Sequence, residues 1–359
     1  MSDKNTDLTK IQSSVIQLLR FPLIVLVIFV HMLPFELKKM KWSLQGYDIY
    51  NNITELISHY IGRLPVPCFF LFSGYFFFIK VSEWNASIYF SKLKKRIKTL
   101  LIPYLIWNIL HILTVYLKNL IFYQFGKGWD EGYHEIRTLP LYDLLWGRPI
   151  NYPLWYLRDL IVMMILTPFY YYYYKYTKIY GLMLSLMIYL LVLESNIPGL
   201  STTAIFYFGL GSFMALSGRN MLAFSIRYSK VAIIMAVIAL GMTSYYTGSH
   251  FYEYCMRIFI VFGVIVMLFL GYKLYKYEKL KNTLIALTSS VFFIYALHTI
   301  YILGWLKGGW LKTPLSTSYS GKLLGYFLIP FICIGMIFLL YRLMKRFCPK
   351  ILSLMIGNR

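Results

Sequence analysis

Runs of about twenty apolar residues recur along this chain, and short basic tracts separate them. No other feature limits the fold so tightly. A run of that length crosses a hydrocarbon core as one helix. Within lipid each backbone N–H and C=O must be satisfied internally, which an α-helix does by itself. Ten segments meet the length: 14–35, 55–79, 99–118, 153–174, 179–194, 203–217, 231–247, 254–272, 283–305 and 323–343. The composition agrees, with 59% apolar and only 14% charged residues. A soluble domain is about a quarter charged, so a water-soluble fold of this size has no way to hide so much apolar surface. The expected fold is all-α: a polytopic integral membrane protein of about ten transmembrane helices, forming a single domain over residues 1–359. No second domain, internal repeat or low-complexity linker interrupts it.

The net charge of +22 raises the question of nucleic acid. Its distribution answers otherwise. Lys and Arg sit between apolar runs, as the positive-inside rule places them. With the N-terminus inside, the cytoplasmic connections hold 23 of the 36 basic residues, Arg20 being counted with the N-terminal tail. The outer loops hold 10, and three (Arg63, Arg158 and Arg257) fall inside spans. Both termini are therefore expected in the cytoplasm. The first apolar run is long enough to remain as a span and lacks a cleavable signal pattern. Cys68, Cys255, Cys333 and Cys348 are scattered, and read as packing residues rather than a disulfide or metal framework. The tyrosines at 170–174 read as an interfacial aromatic belt. The longest outer loop, 119–152, carries Asp130, Glu131, Glu135 and Asp143.

Ionisable side chains inside spans are costly and mark function by default. Here they are Arg20, His31, His59, Arg63, His111, Arg158, Asp159, Arg257 and His298. Arg20 and His31 are eleven residues apart, and eleven steps of about 100° come within about 20° of whole turns. They share one face of the first helix, roughly 16 Å apart along it. A snorkelling Arg and a hydrogen-bonded core His are the plain alternative. His59 and Arg63 are spaced i, i+4 ahead of Pro65 and Pro67, which interrupt the helical ladder. Ser73-Gly74 permits close approach of another helix. As a nucleophile Ser73 lacks the strand–turn–helix setting of an elbow. Lys92, Lys94, Lys95, Arg96 and Lys98 read either as an anionic-lipid contact or as a phosphate site for a cytoplasmic donor. Arg158 and Asp159 are sequence neighbours, so separate partners are expected, with Asp159 reaching Arg63, Arg257 or a His. By depth, His31, His59, Arg63, Arg158, Asp159, Arg257 and His298 fall in the outer half, whereas Arg20 and the 92–98 cluster lie at the inner edge. No zinc-binding pattern, Walker sequence or dinucleotide glycine pattern appears.

These residues resemble the signature of the acyltransferase-3 family, bacterial membrane enzymes that mostly O-acetylate sugars. The resemblance rests on Arg20-x10-His31, Phe69-Phe70-Leu71-Phe72-Ser73-Gly74-Tyr75-Phe76, Lys95-Arg96-Ile97-Lys98 leading to Pro103-Tyr104, Pro153-Leu154-Trp155-Tyr156-Leu157-Arg158, and Tyr295-Ala296-Leu297-His298. It spans nearly the whole chain. Thr99 stands where relatives often repeat a basic residue, and no appended esterase-type domain is present. The resemblance implies transfer of an acyl group, acetyl by preference, from cytoplasmic acetyl-CoA or another acyl-CoA to a hydroxyl of a cell-surface glycan or lipid-linked sugar. The acyl-CoA is a co-substrate, and no bound cofactor or metal is implied. The setting implied is the bacterial inner membrane. On this reading His31 is the general base, with Arg20 and His298 beside it in the catalytic set. Lys95, Arg96 and Lys98 hold donor phosphates. Arg63, Arg158, Asp159 and Ser73 serve the acceptor or the oxyanion. The rival reading is a transporter or flippase, which intramembrane charges and broken helices also suit. Turnover of acyl-CoA by the purified protein separates the two.

Overall fold

The computed structural model describes residues 2–358 except Trp42 and Ser82, with side chains from Leu8 onward. The described residues form helices and connections, with no strand. In order these are α1 (Ser2–Val30), α2 (Gly46–Glu55), α3 (Pro65–Phe78), α4 (Ala86–Arg96), α5 (Ile102–Gln124), α6 (Glu131–Thr138), α7 (Trp155–Ile165), α8 (Thr167–Leu190) and α9 (Thr202–Leu216). Then follow α10 (Met221–Arg227), α11 (Ser229–Tyr245), α12 (Tyr252–Tyr275), α13 (Glu278–Leu287), α14 (Val291–Leu297), α15 (Ile302–Leu311), α16 (Tyr319–Phe347) and α17 (Pro349–Ile356).

Six helical stretches are long and apolar enough to cross a membrane: Leu8–Val30, Gly46–Phe78, Ala86–Gln124, Tyr252–Tyr275, Glu278–Leu297 and Tyr319–Phe347. The number becomes seven if α10 and α11, bent by 75°, count as one span. Large apolar side chains such as Leu113, Ile234 and Phe331 face outward from these helices, as lipid-facing positions do. The chain is an integral membrane protein with several spans. The remaining apolar runs of the sequence are broken or short. The run at 153–174 is split between α7 and α8, just ahead of Pro168, which has no N–H to donate. α8 then kinks at Lys178, where φ is 52° and ψ −129°. α9 has only 15 residues, or about 22 Å of helix. The run at 283–305 stops at Leu297 and restarts at Ile302, with Tyr301 held at φ 61°.

α1 lies inside the bundle and packs against α3, α12, α13 and α14. α3 and α9 cross with backbones nearly touching. A Cβ on Gly74 would lie 2.1 Å from the Phe208 carbonyl oxygen, and one on Gly211 would lie 2.0 Å from that of Leu71. The Ser73-Gly74 pair therefore sits at a small-residue helix contact. Between α2 and α3 the helix widens into a π-turn (Leu56–Tyr60) and tightens into a 3-10 turn (Ile61–Arg63). That irregular stretch carries His59 and Arg63. In the loop after α5, Asp130 caps α6 by accepting the Tyr133 N–H at 3.1 Å and pairs with Lys118.

Candidate functional site

One cavity of about 950 Å³ runs through the bundle. On α1 its wall is the stripe Gln17, Arg20, Ile24, Val27, Val30 and His31, the i, i+3, i+4 and i+7 spacing of one helix face. From Gln17 to His31 that stripe is roughly 21 Å long. The cavity thus has two ends, one at Arg20 and one at His31.

Arg96, Thr99, Thr288 and Ser289 join Arg20 and Gln17 at the first end. Arg20 lies over the Phe76 ring at 6.0 Å, and a hollow of about 240 Å³ lined by Ser13, Gln17, Arg20 and Phe76 adjoins it. Among the described residues neither Arg20 nor Arg96 forms an ion pair. Two guanidinium groups with free donors beside an open volume make an anion site by charge and by geometry.

His31 follows the last turn of α1, so its ring projects from the helix end. Its carbonyl oxygen accepts a hydrogen bond from Lys307 Nζ at 3.0 Å. The ring itself makes no hydrogen bond among the described residues. The His298 ring centroid is 5.1 Å away, and those of Phe35 and Tyr152 are each 6.3 Å away. His298 occupies the break after α14 and is wholly buried behind His31, outside the cavity lining. Its Nδ1 lies 2.8 Å from the Tyr295 carbonyl oxygen and 3.2 Å from that of Ile294. Carbonyls only accept, so Nδ1 carries the hydrogen, and in the neutral ring Nε2 is left with its lone pair. That Nε2 is buried with no partner. The break is held by Asn151, whose Nδ2 donates to the Ala296 carbonyl at 2.9 Å.

Beyond His31 the same cavity is walled by ion pairs. Arg63 Nη1 donates to both Glu253 oxygens at 2.9 and 3.1 Å. Arg257 donates to Glu194 and to the Tyr189 carbonyl. His59 Nδ1 meets the buried Glu55 carboxylate at 2.6 Å, while Nε2 donates to the Pro34 carbonyl at 3.0 Å. The in-span charges singled out in the sequence left out Glu55, Glu194 and Glu253. Each stands at the boundary of an apolar run, on the same outer side as the histidines, and that common placement was the available signal.

The other residues singled out in the sequence divide. Ser73 lines the cavity, but among the described residues no base or second polar group is bonded to it. Lys95 and Lys98 are exposed and off the cavity wall, to which α4 contributes only Arg96. Arg158 and Asp159 are also off it. Instead of finding separate partners they bind each other, with Arg158 Nε and Nη2 at 3.0 and 2.9 Å from Asp159 Oδ1. Arg158 Nη1 also donates to the carbonyls of Trp146 and Gly147 at 3.0 and 2.9 Å. The long, flexible arginine chain curls back along α7 and ties the Asp143–Gly147 turn to it. That is a structural clamp.

Three comparisons bear on this site. A family profile described as an acyltransferase domain matches residues 14–342. The chain is 28% identical to the succinoglycan biosynthesis protein ExoH of Rhizobium meliloti (strain 1021), over 97% of this chain and 92% of that protein. No solved structure matches.

Proposed function

We propose that this chain, which belongs to the acyltransferase-3 family, transfers an acyl group from acyl-CoA to a sugar hydroxyl, with His31 as the general base. The observation that carries the reading is the arrangement of one cavity. Two guanidinium groups without an ion pair among the described residues line one end, and an imidazole with no hydrogen bond among them lines the other, roughly 16 Å apart along α1. An extended pantetheine arm is suited to that gap. Its phosphates would lie at Arg20 and Arg96, on the cytoplasmic side where acyl-CoA is found. Its thioester would lie at His31. ExoH is named for the biosynthesis of a polysaccharide, which supports a glycan as acceptor.

The chemistry asks little of the protein. A thioester is already activated, so the step needs a base for the hydroxyl and donors for the developing oxyanion. His31 takes the hydroxyl proton as the oxygen attacks the thioester carbonyl carbon. The tetrahedral intermediate collapses, the carbon–sulfur bond breaks, and the imidazolium returns the proton to the departing thiolate. His298 acts as a positioning residue. Its ring, with its centroid 5.1 Å from that of His31, packs against the imidazole and limits the orientations open to it. Ser73, which lines the cavity with no base beside it among the described residues, is not a nucleophile in the transfer. Acetyl is the acyl group favoured by family resemblance.

The test is thiol release. Full-length protein in lipid nanodiscs is given acetyl-CoA or a longer acyl-CoA, with and without a methyl glycoside, and free CoA is followed. Sugar-dependent CoA release that disappears in His31→Gln is the expected result. Folded protein that consumes no acyl-CoA with any sugar would refute the assignment and favour transport.

A further inference from the structure

We infer that the His31 end of the cavity is a subsite for an uncharged sugar ring. The inference rests on the reading above and deepens it by naming the acceptor class. Its first support is charge. At the Arg20 end the cations stand alone, whereas beyond His31 each arginine on the cavity wall is matched, and Lys307, bonded to the His31 carbonyl, lies off that wall. Arg63 is held by Glu253 and Arg257 by Glu194, and His59 is bonded to Glu55. An anionic acceptor would have to displace a carboxylate from its arginine and then sit against it, which like charge opposes.

The second support is the kind of polar atom on offer. Glu253 and Glu194 keep 41% and 50% of their side-chain surface open. An ionised carboxylate has about four lone-pair positions. The Glu253 oxygens each receive a single donor, Arg63 Nη1, and the Glu194 oxygens receive Arg257 and the Thr202 hydroxyl. Lone pairs remain for the hydroxyl donors of a sugar. The third support is the wall beside the base. Phe35 and Tyr152 lie 5.4 Å apart, each 6.3 Å from the His31 ring, and both are more than half exposed. Their π faces suit the C–H face of a pyranose. A ring lying there, with hydroxyls on the carboxylates, brings another hydroxyl to His31. Aromatic faces with carboxylate acceptors fit a neutral carbohydrate better than a lipid tail.

The experiment measures sugar and donor separately on the full-length protein in nanodiscs. The probes are methyl glucoside, methyl galactoside and methyl glucuronide, with acetyl-CoA as donor. Glu253→Gln and Glu194→Gln are expected to raise the KM for the neutral glycosides roughly tenfold or more, since each removes a charge-assisted acceptor. The KM for acetyl-CoA is expected to stay within about twofold. The glucuronide is expected to bind at least about tenfold more weakly than the glucoside, read by saturation-transfer NMR without donor. Equal binding of glucuronide and glucoside, or an unchanged sugar KM in both variants, overturns the proposal. If Glu253→Gln does not fold, Glu253→Asp keeps the charge but shortens its reach. An unchanged sugar KM in that variant overturns the proposal equally. Acetyl-CoA consumed with no neutral glycoside bound would sink the subsite and leave acyl transfer standing. Glutamate-dependent glycoside binding without acetyl-CoA consumption would do the reverse.

Discussion

Replacing His31 by Gln separates chemistry from folding, because of how the ring is held. Among the described residues the His31 ring has no hydrogen-bond partner, and the Lys307 contact belongs to the backbone carbonyl. Removing the ring therefore strands no donor or acceptor, and the usual cost of about 1–3 kcal/mol for orphaning a buried partner does not arise. The thermal midpoint of His31→Gln is expected within a few degrees of the parent. General-base loss lowers a rate by roughly 10²–10⁴-fold, equivalent to about 3–5 kcal/mol of transition-state stabilisation. Donor affinity should hold, since Arg20 lies roughly 16 Å away along the same face. Arg20→Gln should do the opposite. A charge-assisted hydrogen bond contributes about 1.5–3 kcal/mol, so the KM for acyl-CoA should rise roughly ten- to 150-fold with kcat largely kept. The assay is steady-state CoA release with acyl-CoA varied, alongside a thermal melt of each purified variant. A folded His31→Gln protein that acylates within about threefold of the parent rate would remove His31 as the base. A donor KM that moves equally in both variants would remove the division of the cavity into two ends.

Other substitutions test neighbouring claims. Arg96→Ala should raise the donor KM about tenfold, whereas Lys95→Ala and Lys98→Ala, which are exposed, should leave it within about twofold; equal effects from all three would mean the whole basic run meets the donor. Arg158→Leu strands the buried Asp159 carboxylate and should cost about 3–5 kcal/mol, seen as lost folded yield, while the kcat of any surviving folded fraction stays unchanged. Gly74→Ala forces a methyl group onto the Phe208 carbonyl, and backbone cannot yield as a side chain can. A cost of about 1–3 kcal/mol is expected, read as a lower thermal midpoint, and an unaltered midpoint would mean the α3–α9 crossing is looser than the structure has it.

Much of this architecture was legible because the bilayer imposes a simple length rule. The apolar runs holding α1, α3, α5, α12 and α16 were visible as such. Reading went astray where a run was long enough but its helix was not continuous. Pro168 and Lys178 divide the stretch from Trp155 to Leu190, and the helix expected at 283–305 stops at His298 and Tyr301. Hydropathy records polarity and is blind to a break whose backbone groups are satisfied by a neighbour, as Asn151 satisfies Ala296. At the site, the i, i+11 spacing of Arg20 and His31 follows from helix geometry alone. The partners of Arg63, Arg158 and Arg257 do not. Arg158 bends back onto its own neighbour, a result of side-chain length that helix-face arguments ignore. Arg63 and Arg257 find Glu253 and Glu194 across the fold, and only tertiary packing decides such pairs.

The same pairing separates the three intramembrane arginines from Arg20 and Arg96. An arginine away from water needs hydrogen-bond acceptors for its fork of donors. Arg158 takes an aspartate and two carbonyls and is fully engaged in holding a turn. Arg63 and Arg257 take glutamates that keep part of their surface in the cavity. Arg20 and Arg96 take none among the described residues, though both line it. An unpaired cation facing a cavity persists where water or an anionic ligand reaches it, so the Arg20 end must open to an aqueous phase at least intermittently. The His31 end, with the arginines of its wall matched, has no such demand and tolerates being closed over a neutral guest. A closed chamber is what the proposed reaction would favour, because water at an activated thioester would hydrolyse it. On the function proposed, the uneven distribution of carboxylates along one cavity would give the reaction a direction, with a charged donor entering at the open end and its acyl group leaving at the other.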